Sequence, residues 1–127
     1  MQARPVVLVV EDDLEMNELE RDLLDAYGLA SVPAYTGAEA LEVFARHGPD
    51  LVLLDIMLPE MDGYETCRRL RKLDSCSVPI VMLTALDSDE SRRRGFEVGA
   101  SAYFCKPFDP DEVVQKIRDL LNHTAAD

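Results

Sequence analysis

The sequence predicts an α/β protein in which a five-stranded parallel sheet is wound with helices on both faces. Three observations predict it. Five short runs rich in Val, Leu and Ile alternate with five stretches of helical periodicity. The connections between them are short and rich in turn residues, as they are where helices cross straight back over a parallel sheet. Val6–Val10 and Leu51–Leu54 are apolar throughout rather than alternating, as expected of strands covered on both faces.

The first strand is Val6–Val10, ending in Glu11-Asp12-Asp13. From Leu14 to Tyr27, apolar residues recur at Met16, Leu19, Leu23, Leu24 and Tyr27, which is helical spacing, and Gly28 supplies the stop. Asp13 reads as the N-cap of that helix. Ala30–Tyr35 is a weaker strand broken by Pro33, and a proline that cannot donate to a ladder places it at a sheet edge. Thr36-Gly37-Ala38-Glu39 is a capping box opening a helix that buries Leu41, Phe44 and Ala45 and stops at Gly48-Pro49. Leu51–Leu54 is the third strand. The helix after it, about Gly63 to Leu73, carries Tyr64, Cys67 and Leu70 on one face and has Asp62 as a turn or cap residue. Val78–Leu83 is the fourth strand, ending at Thr84. A poorly amphipathic helix follows, about Ser88 to Val98, with Phe96 and Val98 as its apolar anchors and Arg92-Arg93-Arg94 as a solvated face. It is expected to be the least firmly packed. Ala102–Cys105 is the fifth strand, ending at Lys106-Pro107. Asp109-Pro110-Asp111-Glu112 combines an N-cap, a proline at N1 and a Glu at N3, opening a last helix that buries Val113, Val114, Ile117, Leu120 and Leu121.

At 127 residues the chain reads as a single domain, with its core over about 5–122 and a polar tail or linker start over 123–127. A chain of this size buries roughly two-thirds of its unfolded surface. No apolar run approaches the roughly 20 residues of a membrane span. Met1-Gln2-Ala3-Arg4-Pro5 runs directly into a strand without the apolar core of a signal peptide, so a cytoplasmic protein is expected. The net charge of −12 opposes any direct grip on nucleic-acid phosphates. Cys67, Cys76 and Cys105 make no metal-ligand or C-x-x-C pattern and read as reduced thiols. His47 and His123 are given no role.

In wound sheets of this kind the functional crevice lies beyond the carboxyl ends of the strands. Asp55, directly after Leu51–Leu54, is on its own either a turn or cap residue or a reactive group. Three other strands also end in functional-type residues: Glu11 and Asp12 after Val10, Thr84 after Leu83, Lys106 after Cys105. Carboxylates gathered there repel unless a cation or protons intervene. Oxygen donors without His or Cys favour a hard ion such as Mg²⁺, or Mn²⁺. One carboxylate can then attack phosphorus to give an aspartyl phosphate. Phosphoryl transfer demands charge neutralisation on the moving oxygens, which Lys106 and the Thr84 hydroxyl are suited to supply.

The motifs Val-Val-Glu11-Asp12, Asp55-x-x-Leu58-Pro59-x-x-Asp62-Gly63, Thr84-Ala85 and Lys106-Pro107-Phe108, in this order from Val6 to Leu121, resemble the receiver domains of two-component response regulators. The resemblance implies a CheY-like, flavodoxin-like (βα)5 fold of strand order 2-1-3-4-5 in a bacterial cytoplasmic signalling protein. It also implies that Asp55 is the phosphoacceptor for a sensor histidine kinase or histidine phosphotransfer protein. Asp12, Asp55 and the Met57 backbone carbonyl would be metal ligands, and Glu11 would act through metal-bound water. Thr84 and Lys106 would bind phosphoryl oxygens, Tyr103 would be the switch aromatic, and the Lys106-Pro107 bond would be cis. Phosphorylation would change the surface around the fourth helix, fifth strand and fifth helix to control an output domain or target protein. Receivers joined to winged-helix domains often carry acids where Ser101 and Ala102 stand, which weakens the case for a phosphorylation-dependent homodimer through that face. Such a domain is not an enzyme; it catalyses only its own phosphoryl transfer and dephosphorylation. Met57 and Leu86, two residues past Asp55 and Thr84, are apolar and cannot orient an attacking water, so slow dephosphorylation is expected.

Two other functions compete. A haloacid-dehalogenase-like phosphatase expects a second Asp two residues past the nucleophile, where this chain has Met57. A degenerate receiver serving as a constitutive binding module would lack the Asp, Thr or Lys, and all three are present.

Overall fold

The computed structural model describes the backbone of residues 4–74 and 77–126, and their side chains except at Asp74 and 123–126. Its elements in chain order are β1 (Val6–Val10), α1 (Leu14–Ala26), β2 (Ala30–Ala34), α2 (Gly37–His47), β3 (Leu51–Leu54), α3 (Gly63–Asp74), β4 (Ile80–Thr84), α4 (Asp89–Glu97), β5 (Ala102–Cys105) and α5 (Pro110–Ala126). The strands form one parallel sheet of order β2-β1-β3-β4-β5. This is the predicted fold, with the Pro33 strand at an edge.

Strand side chains alternate between two cores. Leu8, Val10, Val52, Leu54, Ile80 and Met82 face α2 and α3 through Ala40, Phe44, Tyr64, Cys67 and Leu70. Val7, Val9, Leu51, Leu53, Val81 and Leu83 face α1 and α5 through Leu24, Val113 and Ile117. With both faces covered, the strand ends are where polar groups meet solvent.

The predicted caps form. Asp13 Oδ1 accepts the Met16 N–H at 3.0 Å, and Thr36 Oγ1 accepts that of Glu39 at 3.0 Å. The other half of that box is displaced by one residue: Glu39 Oε1 accepts the N–H of Tyr35 at 2.8 Å, the residue before the cap. Asp62 Oδ1 accepts the Glu65 N–H at 3.0 Å, and Asp109 Oδ1 that of Asp111 at 3.0 Å.

Several burial expectations are corrected. Leu19 is 61% exposed, and the inward residues of α1 are Asn17, Glu20 and Leu24. The helix takes that phase because Asn17 finds acceptors at the strand ends: its amide donates to the carbonyls of Val9, Glu11 and Ala34 at 3.1–3.2 Å. In α2 the inward face is Gly37, Ala40, Val43 and Phe44, which leaves Ala45 exposed. Phe96 is 51% exposed, and α4 buries only Gly95, in keeping with the loose packing expected of it. β4 begins at Ile80, two residues later than predicted, because Pro79 has no N–H for the ladder and Val78 lies in the loop before it. α5 continues to Ala126 in place of a tail from His123, since no glycine or proline follows Leu121 to stop it. Cys67 is buried and Cys105 half-buried, both as free thiols; Cys76 lies outside the described residues.

Candidate functional site

The strand register assembles the site. Val10 stands beside Leu54, so Glu11 and Asp55 leave adjacent strands at the same level, and the Asp55 N–H donates to the Val10 carbonyl at 3.0 Å. On the other side Thr84 stands beside Cys105, and the Lys106 N–H donates to the Thr84 carbonyl at 2.8 Å. β1 and β3 flank the point where the strand order reverses, the expected place for a ligand crevice.

The turn after β3 fixes Asp55. Glu60 adopts φ +66, and α3 begins at Gly63, whose N–H donates to the Ile56 carbonyl at 2.8 Å. A Cβ on Gly63 would lie 2.4 Å from Ile56 Cα and 2.5 Å from the Asp55 carbonyl oxygen. Only glycine lets the start of α3 sit directly on the backbone that carries the carboxylate.

The Asp55 side chain is almost fully buried. Its Oδ1 accepts the Met57 N–H at 3.0 Å, and its Oδ2 accepts from Lys106 Nζ at 3.2 Å. The same ammonium donates to Glu11 Oε1 at 2.5 Å and stands 3.7 Å from Glu20 Oε2. Glu11 Oε2 accepts the Asp13 N–H at 3.1 Å. Thr84 is buried, with its hydroxyl oxygen 3.4 Å from the Leu86 N–H.

One cation is thus shared among three buried carboxylates, and their acidities separate. Burial pushes the Asp55 carboxyl up, but the Met57 N–H, the Lys106 charge and the neighbouring hydrogen bonds outweigh it and hold it below the ordinary range. Burial dominates at Glu11 and holds it above. Burial also opposes the charge on Lys106, yet the hydrogen bond to Glu11 and the charges of Asp55 and Glu20 keep it firmly protonated. The site therefore presents an ionised Asp55 oxygen beside a fixed ammonium, while Oδ1 is engaged by the backbone.

Glu11, Asp55, Thr84 and Lys106 are brought together. Asp12 is exposed at the rim, in a crevice it lines with Met57, Leu58, Pro59 and Leu86. The Lys106-Pro107 peptide is cis. Tyr103 is buried against α4, and its hydroxyl donates to the Leu86 carbonyl at 2.7 Å. A Cβ on Gly95 would meet Tyr103 Cδ2 at 3.0 Å and Met82 Sδ at 2.9 Å, so this glycine makes the room the ring occupies. The arginines of α4 are exposed but individually engaged. Arg92 lies 5.1 Å over the Tyr103 ring, Arg94 4.1 Å over that of Tyr64, and Arg93 pairs with Glu90 and Glu97.

Among the described residues, no group of three or more His, Cys, Asp or Glu side chains is gathered as a metal cage. The donor set still fits a hard divalent ion: Glu11 and Asp55 approach one point closely enough to share an ammonium, and Asp12 stands beside them at the rim. Magnesium keeps several waters and is usually held by one or two carboxylates, so a full cage is not required.

Sequence reasoning missed Asn17 and Glu20. Their signal was available: seven and four residues before the buried Leu24, they share its face of α1, the one turned to the sheet.

The comparisons with known proteins agree with this geometry. The family model "Response regulator receiver domain" matches residues 7–118. A probable transcriptional regulator, ycf27, of Cyanophora paradoxa is 42% identical over 93% of this chain and 48% of its own length. The response regulator MprA of Mycobacterium sp. (strain KMS) is 41% identical over 95% of this chain and 52% of its own. The chain spans about half the length of these curated relatives. Among solved structures, a CheY-like receiver domain protein from Methanospirillum hungatei JF-1 superposes with a TM-score of 0.91 at 28% identity, covering 98% of each chain. The BeF3-activated N-terminal receiver domain of Klebsiella pneumoniae RstA does so with 0.86 at 42% identity, over 91% of this chain and 97% of that one. Among the described residues no helix is long and apolar enough to cross a membrane. The chain belongs to the response regulator receiver domain family, the regulatory receivers of two-component systems.

Proposed function

We propose that the domain is a phosphorylation-activated switch whose phosphoacceptor is Asp55. The supporting observation is the pairing of an ionised, buried carboxylate with the Lys106 ammonium 3.2 Å from its Oδ2, while the Met57 N–H holds Oδ1. In the transfer, an Asp55 oxygen forms a bond to phosphorus as the P–N bond to a kinase or phosphotransfer-protein histidine breaks, and the imidazole leaves. Lys106 and the Thr84 hydroxyl then hold the transferred oxygens. Asp12, Asp55 and the Met57 carbonyl, with Glu11 through bound water, would hold a Mg²⁺ or Mn²⁺ ion, which would supply further charge neutralisation. Tyr103, bonded to the loop that follows Thr84, connects the site to the surface of α4, β5 and α5. The readers of that surface are an output domain or target protein. With a net charge of −12, any DNA contact belongs to another part of the regulator. Cytoplasmic location follows from the same reading.

Incubation with acetyl phosphate and Mg²⁺ followed by intact-mass measurement tests it. The wild type gains one phosphoryl group and Asp55→Asn gains none. A wild type without an adduct refutes the proposal.

A further inference from the structure

We propose that Glu20 is a positioning residue for Lys106, a counter-anchor that draws the ammonium away from the phosphoryl position. This inference rests on Asp55 as the phosphoacceptor.

Glu20 is 5% exposed, yet its Oε2 has no hydrogen-bond partner among the described residues. The side chain comes from α1, which packs on the sheet face opposite α3, and stops 3.7 Å from Lys106 Nζ, too far for a hydrogen bond and close enough for a charge interaction. Lys106 thus sits among Glu11, Asp55 and Glu20 at 2.5, 3.2 and 3.7 Å. A phosphoryl group on Asp55 needs that same ammonium, and Glu20 competes for it. Packing alone does not account for the residue: a buried carboxylate with an orphaned oxygen destabilises a fold, and an apolar side chain would fill the place better. Its chemistry acts on the cation beside it.

The test uses the full chain with Mg²⁺ and beryllofluoride, a phosphoryl mimic, at pH 8. Half-saturation is read from the bound-fluoride signals in ¹⁹F NMR, and Mg²⁺ affinity alone is read by titration calorimetry. Glu20→Gln keeps the side chain's volume, Glu20→Leu removes its polarity, and Glu18→Gln makes the same charge change on the exposed face of α1. Glu20→Gln and Glu20→Leu are expected to tighten beryllofluoride at least threefold with no gain in Mg²⁺ affinity, and Glu18→Gln to leave both unchanged. A generally loosened site would weaken both ligands. Beryllofluoride affinity that is unchanged or weaker in Glu20→Gln overturns the inference, as does an equal gain in Glu18→Gln. A wild type that binds no beryllofluoride overturns the phosphoacceptor reading, and this inference with it.

Discussion

Glu20 also makes the fold sensitive to pH, and the size of the effect follows from its surroundings. Burial pushes its carboxyl up from 4.5 to about 7, with Lys106 opposing the shift and Glu11 and Asp55 adding to it. Between those two values the folded chain holds a proton that the unfolded chain releases, so stability falls as pH rises through this window. The full difference corresponds to about 3 kcal/mol at 1.36 kcal/mol per pH unit, absent below pH 4.5 and complete above pH 7. Glu20→Gln removes the titration. Relative to wild type, the variant should gain about 2–3 kcal/mol between pH 5 and pH 8. Urea denaturation followed by far-ultraviolet circular dichroism suits a chain without tryptophan. At the slopes usual for small domains, the gap between the two midpoints should widen by about 1–2 M urea over that range. A gap that stays constant, or narrows as pH rises, refutes the reasoning.

The sign depends on how much stands against burial. Lys106 lies 2.5 Å from Glu11 and 3.7 Å from Glu20. Even the 2.5 Å contact leaves Glu11 above its ordinary value, and Asp55 is held low because the Met57 N–H adds to the ammonium. At the longer distance, with one oxygen unbonded, burial prevails.

Three further outcomes follow from the packing around the site. Gly63→Ala drives a methyl group into the backbone of Asp55 and Ile56, which cannot yield as a side chain would; a loss of about 1–3 kcal/mol in urea unfolding and slower acetyl-phosphate labelling are expected. Gly95→Ala pushes on the Tyr103 ring. Burial now holds the Tyr103 phenol at about 12, so an ultraviolet titration, with Tyr103→Phe identifying the component, should show it ionising closer to 10 once the ring is displaced. Leu86 lines the crevice beside Asp12 and Met57, and replacing it with Asn should speed phosphate loss severalfold; an unchanged rate in intact-mass time courses counts against the apolar-gate reading.

The sheet was legible because its strands are apolar on both faces and its edge carries a proline; neither property depends on anything distant in sequence. The four strand-end residues were legible for the same reason, since each directly follows an apolar run. Helix faces were harder. In α1 the alternatives Leu19 and Glu20 are adjacent, and a hydrophobic pattern chooses the leucine. The fold chooses Asn17 and Glu20 because carbonyls and an ammonium wait at the end of the sheet, and those partners lie as far as 86 positions away in Lys106. Phe96 fails likewise: Gly95 is inward because Tyr103 and Met82 already fill the space a side chain would need. Patterns of hydrophobicity record what surrounds the core, and they miss polar residues whose partners come from another element.

Lys106 is where these elements meet. Its ammonium is closer to Glu11 than to Asp55, so it is tethered more strongly to the acid that is not the proposed acceptor. For it to serve a phosphoryl group, that tether has to weaken, and a hard cation that satisfies Glu11 would weaken it. Cation and phosphoryl group would then favour each other, and linkage requires such a favour to be reciprocal. Glu20 lies outside that exchange, because neither ligand satisfies it. Wherever it is ionised it attracts the ammonium whether or not either ligand is bound, so it biases the equilibrium rather than gating it. That distinguishes an acid placed to set how much signal the domain holds from one placed to let the signal through.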